Sequence, residues 1–152
     1  FFLRKYQIMK NNASVLLVED NQVDVMTVQR AFKQAHLTNP LIVASNGDEA
    51  LACLKKTGPH AEDDDWNMPC LIMLDLNMPI MSGIEFLRII KNTDLLKRIP
   101  VIVLTTSKED SDRIDSFDLS VAGYIIKPVE FDKFINTVKV INLYWTLSEL
   151  PQ

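Results

Sequence analysis

The sequence predicts an α/β fold of (βα)5 type, a doubly wound five-stranded parallel sheet with helices on both faces. Five short, mostly apolar runs recur along the chain, Val15–Val18, Leu41–Ala44, Leu71–Leu74, Val101–Leu104 and Val121–Ile126. Runs of that length, bounded by turn residues, read as strands buried on both faces. Between them lie segments whose apolar residues recur at helical spacing, and regular alternation of strand and helix implies parallel strands joined by helical crossovers.

The first strand ends where Val18 gives way to Glu19-Asp20-Asn21-Gln22. From Asp24 onward Val25, Val28, Ala31, Phe32 and Ala35 mark a helix, with Asp24 placed to cap it or to complement its N-terminal dipole, and Asn39-Pro40 stops it. Leu41–Ala44 is the second strand. Ser45-Asn46-Gly47-Asp48 then turns into a helix carrying Ala50, Leu51, Cys53 and Leu54, closed by Gly58-Pro59. Residues 60–69 lack periodicity and include Asp63, Asp64 and Asp65, an acidic loop before the third strand. After Gly83, residues Ile84, Phe86, Leu87, Ile90 and Leu95 describe a helix ended by Lys97-Arg98-Ile99-Pro100. The fourth strand stops at Thr105-Thr106-Ser107, and a polar helix from about Glu109 has Ile114 and Phe117 as its few anchors, which makes it a candidate moving part. The fifth strand closes at Lys127-Pro128, and a last helix runs from about Glu130 towards Leu147.

With 152 residues, 47% of them apolar, the chain suits one domain with its own core. The expected division is an N-terminal extension or tag remnant over 1–9, the domain over 10–147 and a tail over 148–152. A net charge of -4 argues against general binding to nucleic acid or an anionic membrane, whose phosphates attract basic surfaces. No apolar stretch approaches the ~20 residues that span a bilayer, so a soluble, cytoplasmic protein is expected. Cys53 and Cys70 lie in apolar segments without metal-ligand spacing and read as buried free thiols. His36 and His60 lack an orienting constellation and read as solvated side chains.

Packing alone explains Asp75 poorly, because it is a charge at the exit of a buried strand. Parallel strands point the same way, so Glu19, Asp20, Asp75, Thr105 and Lys127 converge at one edge, where open α/β sheets bind ligands. Crowded carboxylates are unfavourable unless a cation neutralises them. All the donors are oxygens, which favours a hard ion, Mg²⁺ first, and Mg²⁺ commonly shares its coordination with phosphate. A carboxylate can accept a phosphoryl group while metal and lysine neutralise its oxygens. Asp75 is therefore assigned as acceptor, with Glu19, Asp20 and the Asn77 backbone carbonyl as metal ligands beside it. Lys127 becomes the phosphoryl counter-charge and Thr105 a hydrogen-bond donor to the phosphoryl group. Singly, each has an ordinary reading as a helix cap, a strand-end hydroxyl or a surface cation.

Val18-Glu19-Asp20-Asn21, Leu74-Asp75-Leu76-Asn77-Met78-Pro79 with Gly83, Leu104-Thr105, and Gly123-Tyr124-Ile125-Ile126-Lys127-Pro128 resemble a response-regulator receiver domain across nearly the whole chain. The resemblance implies the flavodoxin-like receiver fold and phosphotransfer from a histidine kinase to Asp75 with Mg²⁺. It also implies autodephosphorylation, a Thr105–Tyr124 switch and a cis Lys127-Pro128 peptide. The acidic loop before Asp75, Lys97-Arg98-Ile99-Pro100 and Tyr144-Trp145 are similar to cyanobacterial phytochrome-associated regulators, which implies a phytochrome histidine kinase as partner and a dimer without a DNA-binding domain. Ser82 departs from the family, which often has Asp before this glycine. The last helix carries Phe131, Phe134, Ile135, Val138, Ile141 and Trp145 at core-compatible spacing, while Val140, Leu143, Tyr144 and Leu147 widen its apolar surface beyond one sheet-facing stripe, which suits a homodimer through it and the fifth strand.

Three other functions compete. A Mg-dependent aspartyl-phosphate phosphatase would use the same strand-end aspartate, but Asn77 stands where the haloacid-dehalogenase pattern has its acid/base aspartate. A flavodoxin-like cofactor binder would need a Ser/Thr/Gly-rich phosphate cradle where Glu19-Asp20 stands. A non-phosphorylated receiver-like scaffold would not need the full set of site residues.

Overall fold

The computed structural model describes residues 13–55, 68–78, 80–106, 109–116, 118–130, 132–137 and 139. Strands β1 (Val15–Val18), β2 (Leu41–Ala44), β3 (Leu71–Asp75), β4 (Val101–Thr105) and β5 (Gly123–Ile126) form one parallel sheet in the order β2-β1-β3-β4-β5. Helices α1 (Gln22–Gln34), α2 (Gly47–Leu54), α3 (Gly83–Lys91) and α4 (Glu109–Ser116) alternate with them, followed by helical residues 132–137, here α5. The (βα)5 order is as the sequence predicts.

Side chains alternate across a strand, and here the alternation divides the core in two. Leu16, Val18, Ile72, Leu74, Val101 and Val103 pack with Ala50, Leu54, Phe86, Leu87, Ile90 and Ile114 of α2, α3 and α4. Val15, Leu17, Leu71, Met73, Ile102 and Leu104 pack with Val25, Val28, Ala31 and Phe32 of α1 and Phe134 of α5. The Phe32 and Phe134 rings stand 5.4 Å apart at 41°, which joins α5 to α1. β1, β3 and β4 are buried throughout, while β2 and β5 form the edges and expose Val43 and Ile126.

Several boundaries differ from the sequence reading. Asn21, not Asp24, caps α1, its Oδ1 accepting from the N–H groups of Val23 and Asp24. Helix α3 ends at Lys91, so Leu95 lies outside it and is 75% exposed, while Leu96 and Ile99 supply the buried contacts of the connection. Simple helical spacing could not separate Leu95 from Leu96. β5 begins at Gly123 rather than Val121, and β3 and β4 extend through Asp75 and Thr105. The Lys127-Pro128 peptide is cis. Phe117, His60, the acidic stretch 60–67 and most of the last predicted helix lie outside the described residues.

Two local features anchor the end of β3. Ser82 caps α3 through a bond from the Glu85 N–H to its Oγ, and Gly83 packs its backbone against β3. A Cβ on Gly83 would lie 2.5 Å from the Asp75 carbonyl oxygen and 2.5 Å from Leu76 Cα. The Gly83 N–H also donates to the Leu76 carbonyl at 3.0 Å. Both cysteines are buried free thiols; Cys70 Sγ donates to the Ser14 carbonyl at 3.3 Å, and burial pushes its thiol up to about 11.

Gly83→Ala is expected to lower stability by about 1–3 kcal/mol, because the obstructing atoms are backbone; an unchanged urea midpoint would refute the close packing. Cys70 keeps its proton longer in the folded than in the unfolded chain, so its contribution is complete below the unfolded thiol pKa and fades as pH climbs to about 11. Across that alkaline range the urea midpoint of the wild type should fall more steeply than that of Cys70→Ala, and parallel curves would count against it.

Candidate functional site

The sheet register brings the site together. Val18 of β1 is level with Leu74 of β3, so Glu19, the next residue, is level with Asp75. Asp75 is level with Leu104 and Thr105 with Ile126. The ladder continues past the strand ends: the Glu19 N–H donates to the Ala44 carbonyl at 2.9 Å and the Lys127 N–H to the Thr105 carbonyl at 2.8 Å. Backbone bonds therefore hold Glu19 and Lys127 at the edge before their side chains interact.

Lys127 Nζ lies 2.7 Å from Glu19 Oε2, 2.9 Å from Asp24 Oδ2 and 3.4 Å from Asp75 Oδ2. Glu19 is fully buried and Asp75 nearly so. Glu19 Oε1 accepts from the Asn21 N–H at 3.1 Å, and Asp75 Oδ1 from the Asn77 N–H, also at 3.1 Å. Burial is the largest influence on Glu19 and, with the neighbouring Asp75 carboxyl, pushes it up to about 7 against the opposing pull of Lys127 and the Asn21 N–H. Burial also disfavours the Lys127 charge, but the hydrogen bonds it donates to Glu19 and Asp24, with the charges of Asp75 and Glu19, hold the ammonium above its usual range.

Glu19, Asp20 and Asp75 each offer a carboxylate oxygen, and these oxygens lie within 4.8 Å of one another. The donor set is that of a hard divalent cation. One ammonium among four carboxylates leaves excess negative charge, and the raised Glu19 marks a place where a cation would restore ionisation. The acidic cluster thus fits a divalent metal. Asp20 is exposed and forms its open side, and Asn77 follows Asp75 at the lip of the site.

Thr105 reaches the same edge but with different company. It shares its strand face with Val101 and Val103, opposite Leu104, and is 2% exposed. Its hydroxyl donates to Asp110 Oδ2 on α4. Thr106 is exposed, so the buried strand-end hydroxyl belongs to Thr105. Tyr124 is paired with Val103 and packs, partly buried, on the same side of the sheet. The structure brings Glu19, Asp20, Asp75 and Lys127 into one cluster and sets Thr105 and Tyr124 together on the other face.

Two acids near the site were not assigned to it from the sequence. Asp24 reads as a helix-terminal acid and does stand in the first turn of α1, but its carboxylate also binds Lys127. Its place one turn after Glu19-Asp20 was the available signal. Asp110 gave none, because burial of one acid in a polar helix is invisible to hydrophobic periodicity.

A family model described as a response regulator receiver domain matches residues 15–139. Response regulator Rcp1 of Synechocystis is 39% identical over 131 residues, which cover 86% of this chain and 87% of Rcp1. Its Mn²⁺-bound crystal structure superposes with a TM-score of 0.70 at 36% identity, covering 92% of this chain and 97% of that one. The bacteriophytochrome response regulator AtBRR gives a TM-score of 0.80 at 36% identity, over 88% of this chain and 95% of AtBRR. The phosphorylated cyanobacterial phytochrome response regulator RcpA gives 0.71, again at 36% identity, over 90% and 96% of the two chains. Among the described residues no helix is long and apolar enough to cross a membrane.

A divalent cation should raise the thermal midpoint of the wild type saturably, with about 2.7 kcal/mol of stabilisation at one hundred times the dissociation constant. Asp20→Asn, a change at an exposed position, should weaken Mg²⁺ and Mn²⁺ binding on the order of ten-fold or more while leaving the metal-free midpoint nearly unchanged. Identical titrations of the two proteins by differential scanning fluorimetry would remove Asp20 from the metal site.

Proposed function

The chain belongs to the response regulator receiver family, and from that premise we propose that it accepts a phosphoryl group from a histidine kinase on Asp75, with Mg²⁺ as cofactor, in a two-component phosphorelay. The observation that carries this reading is Asp75 itself, nearly buried at the end of the central strand, with Lys127 Nζ 3.4 Å from Oδ2 and two further acids beside it. The role is one of signalling rather than turnover of a small-molecule substrate.

In the transfer, an Asp75 carboxylate oxygen forms the new O–P bond as the P–N bond of the donor phosphohistidine breaks, its electron pair leaving with the imidazole. Asp75 Oδ1 is oriented by the Asn77 N–H. Lys127, drawn now towards Glu19 and Asp24, is close enough to follow the phosphoryl oxygens as counter-charge. Glu19, Asp20, Asp75 and the Asn77 backbone carbonyl would hold Mg²⁺, which when bound would supply further neutralisation of the transferred group. Thr105 donates its hydroxyl proton to a phosphoryl oxygen, and Tyr124 moves with it as the switch. In autodephosphorylation a water entering past the exposed Asp20 forms a new O–P bond as the P–O bond to Asp75 breaks, releasing inorganic phosphate and restoring the Asp75 carboxylate.

A phytochrome histidine kinase in light signalling is the donor we assign, on the strength of the similarity to Rcp1, RcpA and AtBRR. The output surface is the β5 edge with α5, where the regulator forms a homodimer. Supporting this are the half-exposed Ile126 and a hollow of about 300 Å³ lined by Tyr124, Ile125, Ile126, Lys133, Asn136 and Thr137. The positions that widen the apolar surface of the last helix, Val140, Leu143, Tyr144 and Leu147, lie outside the described residues. The net charge of -4 suits a protein partner better than nucleic acid.

Incubated with a small-molecule phosphodonor and Mg²⁺, the wild type should gain the mass of one phosphoryl group as acid-labile phosphate, and Asp75→Asn should gain none. Equal labelling of both proteins by intact-mass spectrometry would overturn the assignment, whereas failure of both to label would favour a non-phosphorylated scaffold.

A further inference from the structure

A threonine hydroxyl carries one proton to donate. In this structure Thr105 gives it to Asp110 Oδ2, and Thr105 and Asp110 are only 2% and 6% exposed. A carboxylate so far from water is unfavourable unless hydrogen bonds and opposite charge compensate it. Asp110 has both: the Thr105 hydroxyl on one oxygen, and the Arg113 guanidinium 3.7 Å from the other. The bond ties the last residue of β4 to the second residue of α4. Among the α4 side chains that the structure describes, Asp110 and Ile114 are the buried ones. They stand four residues apart on one face of the helix. Among the described side chains, one of the two inward contacts of this helix is therefore polar, and its bond to β4 is the Thr105 hydroxyl proton.

We propose that Asp110 is a latch, a positioning residue that holds Thr105 and α4 in the resting arrangement by occupying the proton that a phosphoryl group on Asp75 must take. The proposal rests on Thr105 being the phosphoryl contact and adds what that contact has to displace. Thr105 cannot donate to both acceptors at once, so phosphorylation and the Thr105–Asp110 bond are mutually exclusive. When Thr105 turns to the phosphoryl group, the Asp110 carboxylate loses that donor. Arg113, one turn further along α4 and more than half exposed, is placed to draw it outwards, and the start of α4 goes with it. A ligand shifts a two-state equilibrium only through its preference for one state, and the latch sets how much preference is required.

The test is the affinity for beryllofluoride, a phosphoryl mimic, measured in Mg²⁺ by ¹⁹F NMR for the wild type, Asp110→Ala, Asp110→Asn, Thr105→Val and the Asp110→Ala/Thr105→Val double variant. Loss of the latch should tighten binding on the order of ten-fold in Asp110→Ala, the scale of one hydrogen bond to a charged acceptor. Asp110→Asn keeps an acceptor oxygen without the charge and should fall between; being isosteric, it serves if the alanine variant folds poorly. Thr105→Val should weaken binding, and on that background Asp110→Ala should change nothing further, since no proton is left to release. Without ligand, amides 109–116 should exchange faster in Asp110→Ala. Wild-type affinity in both Asp110 variants, or an equal gain with and without Thr105, overturns the latch while leaving the role of Thr105 standing. Unchanged affinity in Thr105→Val overturns the reading of Thr105 itself, and the latch with it.

Discussion

Three carboxylates, Glu19, Asp24 and Asp75, share one ammonium, and the layout of the strand-end site depends on that arrangement. Lys127 comes from the far edge strand, Glu19 and Asp24 from β1 and the start of α1, and Asp75 from the centre of the sheet. Removing one partner of such a buried group leaves the others charged without compensation, which is far more harmful than the pair is stabilising. The ammonium also fails to balance the acids completely. Burial and the Asp75 carboxyl leave Glu19 reluctant to ionise, and the excess of acids over the one ammonium suits the edge to a hard cation.

The alternation of side chains along β3 and β4 places Asp75 and Thr105 towards opposite sides of the sheet. Asp75 follows the alternation of Leu71 and Met73, towards α1 and α5. Thr105 follows that of Val101 and Val103, towards α2, α3 and α4. A phosphoryl group at the strand ends is therefore the natural meeting point of two otherwise separate cores. Tyr124 packs on the Thr105 side.

The sheet was legible in the sequence because central parallel strands bury both faces and must be apolar throughout; Val15–Val18, Leu71–Leu74 and Val101–Leu104 stand out for that reason. Glu19, Asp75 and Lys127 were legible as exceptions to the same rule, charges where the strand pattern stops. Helix ends were less so. Asn21 and Asp24 are both good N-terminal residues, and only the backbone geometry decides between them. Leu95 and Leu96 are chemically identical neighbours, one exposed and one buried by the turn that follows α3. Asp110 stayed hidden because its burial depends on Thr105, a tertiary partner on another element, and a polar helix offers no periodicity to reveal its inward face.

The three acids of the pocket reach one another within 4.8 Å, close to the separation of about 4.8 Å between neighbouring strands in any sheet. Glu19 and Asp75 sit side by side on adjacent strands at one register level, so the sheet itself acts as the ruler for the distance between them. Asp20, the first residue of the loop beyond Glu19, completes the cluster from the rim. The distance between Glu19 and Asp75 is therefore set by hydrogen-bonded backbone, and a change of length in the loops beyond Asp20 or Asn77 would leave that distance as it is.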